Sequence, residues 1–309
     1  MNRPELRKYI RGPVATIPTA FDVNFNVDYG RMHELTQWWV KEGIVKGKSV
    51  LKVSAAMGEG TSLGDDEWPP LLRTVVNASN DKATVVHGIH YKDTIRMVND
   101  AKKAQDLGAI GLQISPPIFG DPTQDDILRH FQAVSDAVEI GIMVYHTHWF
   151  RGGRIEVDTF QRMKNFEHVV AIKWSPPEGV AHSEMSKFVD DFNVIENSMR
   201  VIESHKLGGH GFINETMPAN PSHDLKVQEL MNSGRYEEAQ GLWDSVNTPI
   251  RVFYDKLQVR SGGEGRALKG MMEIMGMPCG DSRPPSMPLS EEEMSELREI
   301  LESFGWLSG

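Results

Sequence analysis

Lys173 closes the run from His168 to Lys173, a β-branched apolar stretch that reads as a buried strand. A lysine is seldom buried unless something holds it there, so at such a strand end it either snorkels outward or is kept for chemistry. Tyr145 closes a second short apolar run, Gly141 to Tyr145. In a parallel barrel the carboxyl ends of neighbouring strands converge on one mouth, which lets Lys173 and Tyr145 face each other. An amine attacks a carbonyl only when unprotonated, and desolvation among Val169, Val170, Ala171 and Ile172 favours that neutral form. A phenol beside it can carry protons.

The elements that must hold this pair alternate along the chain. Strands are expected at Val14 to Thr19, Ser49 to Ser54, Ala83 to Gly88, Gly111 to Ser115, Gly141 to Tyr145, up to Lys173, Phe192 to Glu196, and Gly211 to Ile213. Helical spacing falls between them at Tyr29 to Gly43, Asp65 to Ala78, Lys92 to Leu107 and Thr123 to Val138. Eight strands with intervening helices predict an α/β fold, a parallel (β/α)8 TIM barrel. Residues 1–234 form the expected barrel, opening on a polar lead-in before the first strand. Residues 235–309 form a C-terminal helical extension packed on it, with helices at Tyr236 to Lys256, Gly265 to Met275 and Ser290 to Phe304. Ser290 and Glu293 make a capping box for the last of these.

Composition narrows the partners. A chain of 309 residues with 39% apolar content can bury a large core. Its formal charge is -10 with acids and bases interspersed, which disfavours a nucleic-acid or anionic-membrane surface. One cysteine, Cys279, permits no internal disulfide and no cysteine-pair zinc site, and a reducing cytoplasm is the simplest home. No apolar signal core opens the chain, and no apolar run approaches the ~20 residues that span a bilayer.

The chain resembles the dihydrodipicolinate synthase / N-acetylneuraminate lyase family of Schiff-base aldolases over nearly its whole length. The resemblance lies in Gly58-Glu59 after the second strand, Gly108 to Gly111 through Pro116-Pro117, and Pro122 to Asp126 with His130-Phe131. It continues in Ala171-Ile172-Lys173, Leu207 to Gly211, and Leu289 to Glu293. It implies that Lys173 condenses with the ketone of pyruvate or a related 2-oxo acid while Tyr145 moves protons. The iminium then acts as the electron sink, with no metal or diffusible cofactor. It also implies a homotetramer, or a dimer through the side of the fourth strand.

Several positions depart from the family pattern. Where the family carries two hydroxyl residues that hold the substrate carboxylate, this chain has Ala55-Ala56-Met57 before Gly58. Backbone N–H groups of that loop remain available to an anion. Ile118-Phe119 replaces a tyrosine pair, which removes an inter-subunit hydroxyl relay and disfavours a lysine-biosynthetic synthase. After Tyr145 the chain reads His146-Thr147-His148-Trp149-Phe150-Arg151, so Arg151 stands one residue beyond the family's carboxylate-binding arginine. Trp174 stands where glutamate is frequent.

Met57, Phe119, Trp149, Phe150 and Trp174 together predict an apolar mouth and a substrate with an apolar or aromatic part, unless individual rings pack against loops or a second subunit. His87, His90, His146 and His148 could gather at one mouth as metal ligands. An added acid/base role, first for His146 beside Tyr145, suits them better. Glu196, Asn197 and His205 are expected to line the end of the seventh strand and meet a polar part of the substrate, Ile213 to contact substrate from the end of the eighth, and Glu59 to be a hydrogen-bonding residue of its loop. The expected activity is that of a retro-aldolase, hydratase-aldolase or dehydratase on a substituted 2-oxo acid. Rivals are a non-imine, for example hydrolytic, relative and a metabolite-binding protein on the same scaffold.

Overall fold

The computed structural model describes residues 1–90, 92–147, 152–263 and 265–307. Its eight strands are β1 (Val14–Thr16), β2 (Val50–Val53), β3 (Thr84–Ile89), β4 (Gly111–Ile114), β5 (Gly141–Tyr145), β6 (Val169–Trp174), β7 (Asn193–Glu196) and β8 (Gly211–Phe212). They pair in sequence order, all parallel, and a parallel bridge from Val14 to Ile213 brings the last strand back to the first. The result is a (β/α)8 TIM barrel. The expected ends of β1, β2, β4 and β8 ran one to three residues too far into the loops at the carboxyl mouth. At β1 the reason is visible, because Pro18 has no N–H to continue the ladder.

Around the barrel run α2 (Tyr29–Lys41), α3 (Trp68–Ser79), α4 (Thr94–Asp106), α5 (Gln124–Ser135), α6 (Val157–Arg162), α7 (Val201–Lys206) and α8 (Pro221–Asn232), as numbered after the lead-in helix described below. Between β6 and β7 the crossover is only a 3-10 stretch, His182–Lys187. Three helices follow: α9 (Tyr236–Arg260), α10 (Gly265–Ile274) and α11 (Glu291–Ser303). No helix among the described residues is long and apolar enough to cross a membrane.

The expected polar lead-in is instead the helix α1 (Arg3–Tyr9). Asn2 and Glu5 cap its start reciprocally and a proline sits in its first turn, a signature present in the sequence. Its Leu6, and Ile10 just past its end, join Val14, Val50, Val86, Met143, Val170, Ala171 and Ile195 in the apolar interior of the barrel. A methyl on Gly111 or Gly141 would come within 2.5 Å of Ile10 Cδ1, so these glycines make the room that Ile10 fills. The larger core lies between sheet and helices, and Trp39, Phe131, Phe160 and Phe188 are fully buried there. Burying such side chains stabilises by roughly 1.5–3 kcal/mol each.

Candidate active site

Tyr145 and Lys173 are register partners across β5 and β6, so the two strand ends deliver them side by side. Lys173 is 6% exposed and Tyr145 1%. The Lys173 Nζ stands 4.1 Å from the centre of the Tyr145 ring, within cation–π range. His90, just past the end of β3, meets that ring edge-on at 5.1 Å. Burial holds His90 far below the usual histidine range, and the charges of Lys173 and Lys52 push the same way, so its imidazole is neutral at pH 7.

Lys173 lines a cavity of about 250 Å³ at the carboxyl mouth of the barrel. One wall is the loop after β2 (Ala55, Ala56, Met57), and another is the pair of loops after β7 and β8 (Asn197, Ser198, Met199, Asn214, Glu215). Asn247, Ile250 and Arg251 of α9 complete the wall, so this C-terminal helix is part of the site. Below them lie Thr16, Lys52 and Gln113 from strands β1, β2 and β4.

Lys52 is a second buried lysine, 1% exposed, whose Nζ donates to Gln113 Oε1 at 2.7 Å. Sequence reasoning passed over it, although a lone charge inside Val50–Val53 carries the same signal that singled out Lys173.

The expected site residues divide. Ala56, Met57, Lys173 and Ile213 line the cavity. Gly58 acts through its backbone: its carbonyl accepts from Thr19 Oγ1 at 2.7 Å, and a Cβ there would lie 2.8 Å from the Ile17 carbonyl oxygen. Trp174 and His146 stand away from the cavity, because side chains alternate along a strand and inward Lys173 and Tyr145 send their successors outward. Trp174 packs on Phe188 and Phe160, with the His146 ring stacked on it at 5.9 Å and His146 Nδ1 3.1 Å from the Ser175 carbonyl. Phe119 is 81% exposed beyond β4 and does not line the cavity either.

Trp149 and Arg151, like His148 and Phe150, lie outside the described residues. Alternation separates the remaining histidines: His87 faces the helices, stacked on Trp68 at 4.6 Å, and burial lowers its pKa to about 3. Among the described residues no three His, Cys, Asp or Glu side chains converge as metal ligands. Asn247, Ile250 and Arg251 carried no local signal, because which face of a tail helix meets the mouth is decided by packing distant in sequence.

The loop after β2 is held under strain. Ser54 and Glu59 both adopt φ of 57°, a left-handed conformation that costs a non-glycine residue of order 1–3 kcal/mol. Glu59 is anchored by Lys269 of α10, Nζ to Oε2 2.7 Å, which ties the C-terminal helices to this loop. A Cβ on Gly60 would lie 1.8 Å from the Ser54 carbonyl oxygen. Gly60→Ala is therefore expected to cost about 1–3 kcal/mol or more in urea unfolding and to shift the loop that carries Ala56 and Met57. An unchanged unfolding midpoint would contradict this packing.

Glu196 faces outward from β7 but is buried, and its Oε1 accepts from both the backbone N–H and the hydroxyl of Ser198, itself a cavity residue. Burial raises its pKa from 4.5 to about 7, opposed by the Ser198 hydrogen bonds. A carboxyl raised in the folded state ionises first in the unfolded chain. Stability therefore falls as pH climbs from about 4.5 to about 7 and levels off above. Glu196→Gln should remove that slope and stabilise at pH 8 by on the order of 3 kcal/mol, with little effect at pH 5. Equal changes at both pH values in urea unfolding would sink this assignment.

A model of the Dihydrodipicolinate synthetase family matches residues 10–304. A 4-hydroxy-tetrahydrodipicolinate synthase of Heliobacterium modesticaldum is 27% identical over 294 residues, 94% of this chain and 95% of that protein. Another synthase of that name, from Acidothermus cellulolyticus, is 28% identical over 264 residues, 84% of this chain and 82% of the other. Among solved structures, a monomeric dihydrodipicolinate synthase variant superimposes with a TM-score of 0.85 at 24% identity, covering 97% of this chain and 98% of its own. A prophage protein of E. coli K12 from the dihydrodipicolinic acid synthase family, solved with pyruvate, gives 0.86 at 19% identity, covering 96% and 99%. At such identities these structures bear on the fold.

Proposed function

Because the chain belongs to the dihydrodipicolinate synthetase family, we propose that it acts as a lysine-imine lyase on a substituted 2-oxo acid, with Lys173 as the nucleophile and Tyr145 as the proton carrier. The observation that carries this reading is the Lys173 Nζ set 4.1 Å from the centre of the Tyr145 ring, at the wall of a partly enclosed cavity. The neutral Lys173 amine adds to the C2 carbonyl. The former carbonyl oxygen takes up protons and leaves as water, giving an iminium. In the cleaving direction the C3–C4 bonding pair moves into the iminium to form an enamine, while a C4 hydroxyl loses its proton and becomes the carbonyl of the released aldehyde. Protonation at C3 and hydrolysis of the iminium return pyruvate and the free amine. Tyr145 passes protons to and from the oxygen at C2 and the hydroxyl at C4. These steps need no metal and no diffusible cofactor.

Ala56 and Met57 stand where a synthase of the family would place side-chain hydroxyls, and this supports cleavage, hydration-aldol or dehydration chemistry over lysine biosynthesis. The variable part of the acid would meet Met57, Met199 and Ile250 together with Asn197, Asn214 and Asn247. This mixed lining supports a substrate with both an apolar and a hydrogen-bonding portion, less uniformly apolar than five aromatic and methionine residues at one mouth would demand. We read residues 1–234 as the catalytic barrel and 235–309 as the extension that walls the site. The exposed Phe119 beyond β4 supports a homo-oligomer formed through that side. A coupled assay for pyruvate release over a panel of 4-hydroxy-2-oxo acids tests the reaction class. Release that requires Lys173 supports it, and a panel member turned over without Lys173 contradicts it.

A further inference from the structure

We propose that Lys52, Gln113 and Thr16 form a carboxylate subsite deep in the barrel, which takes the role the hydroxyl-free loop of Ala55, Ala56 and Met57 has lost. The proposal rests on the reading of the cavity as a 2-oxo acid site. Thr16 and Lys52 are register partners on β1 and β2, and all three residues line the cavity that Lys173 lines. Thr16 and Lys52 are each 1% exposed and Gln113 is fully buried.

Lys52 Nζ donates to Gln113 Oε1 at 2.7 Å, and this fixes which way the amide is turned. The Gln113 Nε2 group is thereby left as a donor, and among the described residues it has no hydrogen-bond partner; the same holds for the Thr16 hydroxyl. Buried polar groups ordinarily find partners, and those that do not within the protein point to something bound. An ammonium, an amide NH2 and a hydroxyl around one pocket floor make a donor set for an anion with two oxygens.

Position selects the anion. Lys52 and Lys173 line the same cavity, which places both amines at one end of the barrel. The carboxylate of a 2-oxo acid is bonded directly to the carbon that Lys173 attacks. With that carboxylate on Lys52, Gln113 and Thr16, the C2 carbonyl is presented to Lys173, and the rest of the chain extends toward α9 and the mouth. Lys52 is thus a carboxylate-binding and specificity residue whose amine forms no covalent bond to the substrate.

The test compares an acid with its neutral ester. Borohydride trapping on Lys173 is measured against concentration for pyruvate and for methyl pyruvate, in the unaltered protein and in Lys52→Met. The expected result is a 10- to 100-fold rise in the half-saturating pyruvate concentration, the loss typical of a charge-assisted hydrogen-bond partner. Methyl pyruvate should be unaffected, so the preference for acid over ester collapses. Equal losses for acid and ester, or no preference in the unaltered protein, would overturn the subsite. If Lys52→Met fails to fold, Thr16→Val removes one donor at nearly constant shape and should raise the pyruvate value about 3- to 10-fold, again sparing the ester. Oxamate, which carries the carboxylate but is a poor imine former, separates the two ideas in calorimetry. Lys52-dependent oxamate binding without any trapped adduct would retain the subsite and discard the imine. Trapping indifferent to Lys52 would do the reverse.

Discussion

Lys173→Met is expected to lower turnover roughly 10⁴-fold or more, the scale seen when a covalent nucleophile is removed, while leaving the barrel folded. Methionine matches lysine in length and suits a site that is 6% exposed between β5 and β7. Thermal unfolding should therefore stay close to that of the unaltered protein, and the loss of rate cannot be ascribed to collapse of the fold. The second lysine makes the experiment sharper. If Lys52 could supply the imine in place of Lys173, much of the activity would survive. The pairing of Lys173 with Tyr145, and of Lys52 with Gln113, argues that the two amines have different tasks. Steady-state kinetics on the best acid from the panel decide the point, and a loss below tenfold would mean that Lys173 is not the nucleophile.

Tyr145→Phe is expected to lower kcat by about 10²- to 10⁴-fold, the usual contribution of a positioned proton carrier. The substitution removes only the phenolic hydroxyl from a side chain that is 1% exposed. The ring face under Lys173 persists, since phenylalanine offers the same attraction to a cation in weaker form, so the lysine should keep its position. Imine formation then slows at its proton-transfer steps while affinity for the acid changes little. The checks are a kcat and KM split together with the rate of borohydride-trappable adduct. A rise in KM at unchanged kcat would instead make Tyr145 a binding residue.

Much of this arrangement could be read from residue order. The run Gly141 to Tyr145 is strand β5 with the expected ends, and the two residues that closed apolar runs are neighbours across the sheet. The outward turn of Trp174 and His146 was also within reach. Period-two alternation follows at once from an inward Lys173 and Tyr145, but the adjacency of Trp174 and His146 to that pair in sequence drew attention to the wrong face. Lys52 was missed for a related reason: it sits in the middle of its strand, where a charge looks like an interruption and not an endpoint. The capping residues Asn2 and Glu5 announced α1, yet what α1 does, filling the floor of the barrel with Leu6 and Ile10, depends on room made by Gly111 and Gly141 more than a hundred residues away. Asn247, Ile250 and Arg251 reach the mouth through the packing of α9, which local pattern does not encode.

The most direct test of the account is to reduce the protein with borohydride in the presence of pyruvate and to map the adduct to a peptide. Two lysines line one cavity, so the location of the mass increment decides between them. An adduct confined to Lys173, retained in Lys52→Met at raised pyruvate and absent from Lys173→Met, is the predicted result. An adduct on Lys52, or none at any 2-oxo acid while a substrate is still turned over, would contradict the central claim that Lys173 is the imine-forming residue.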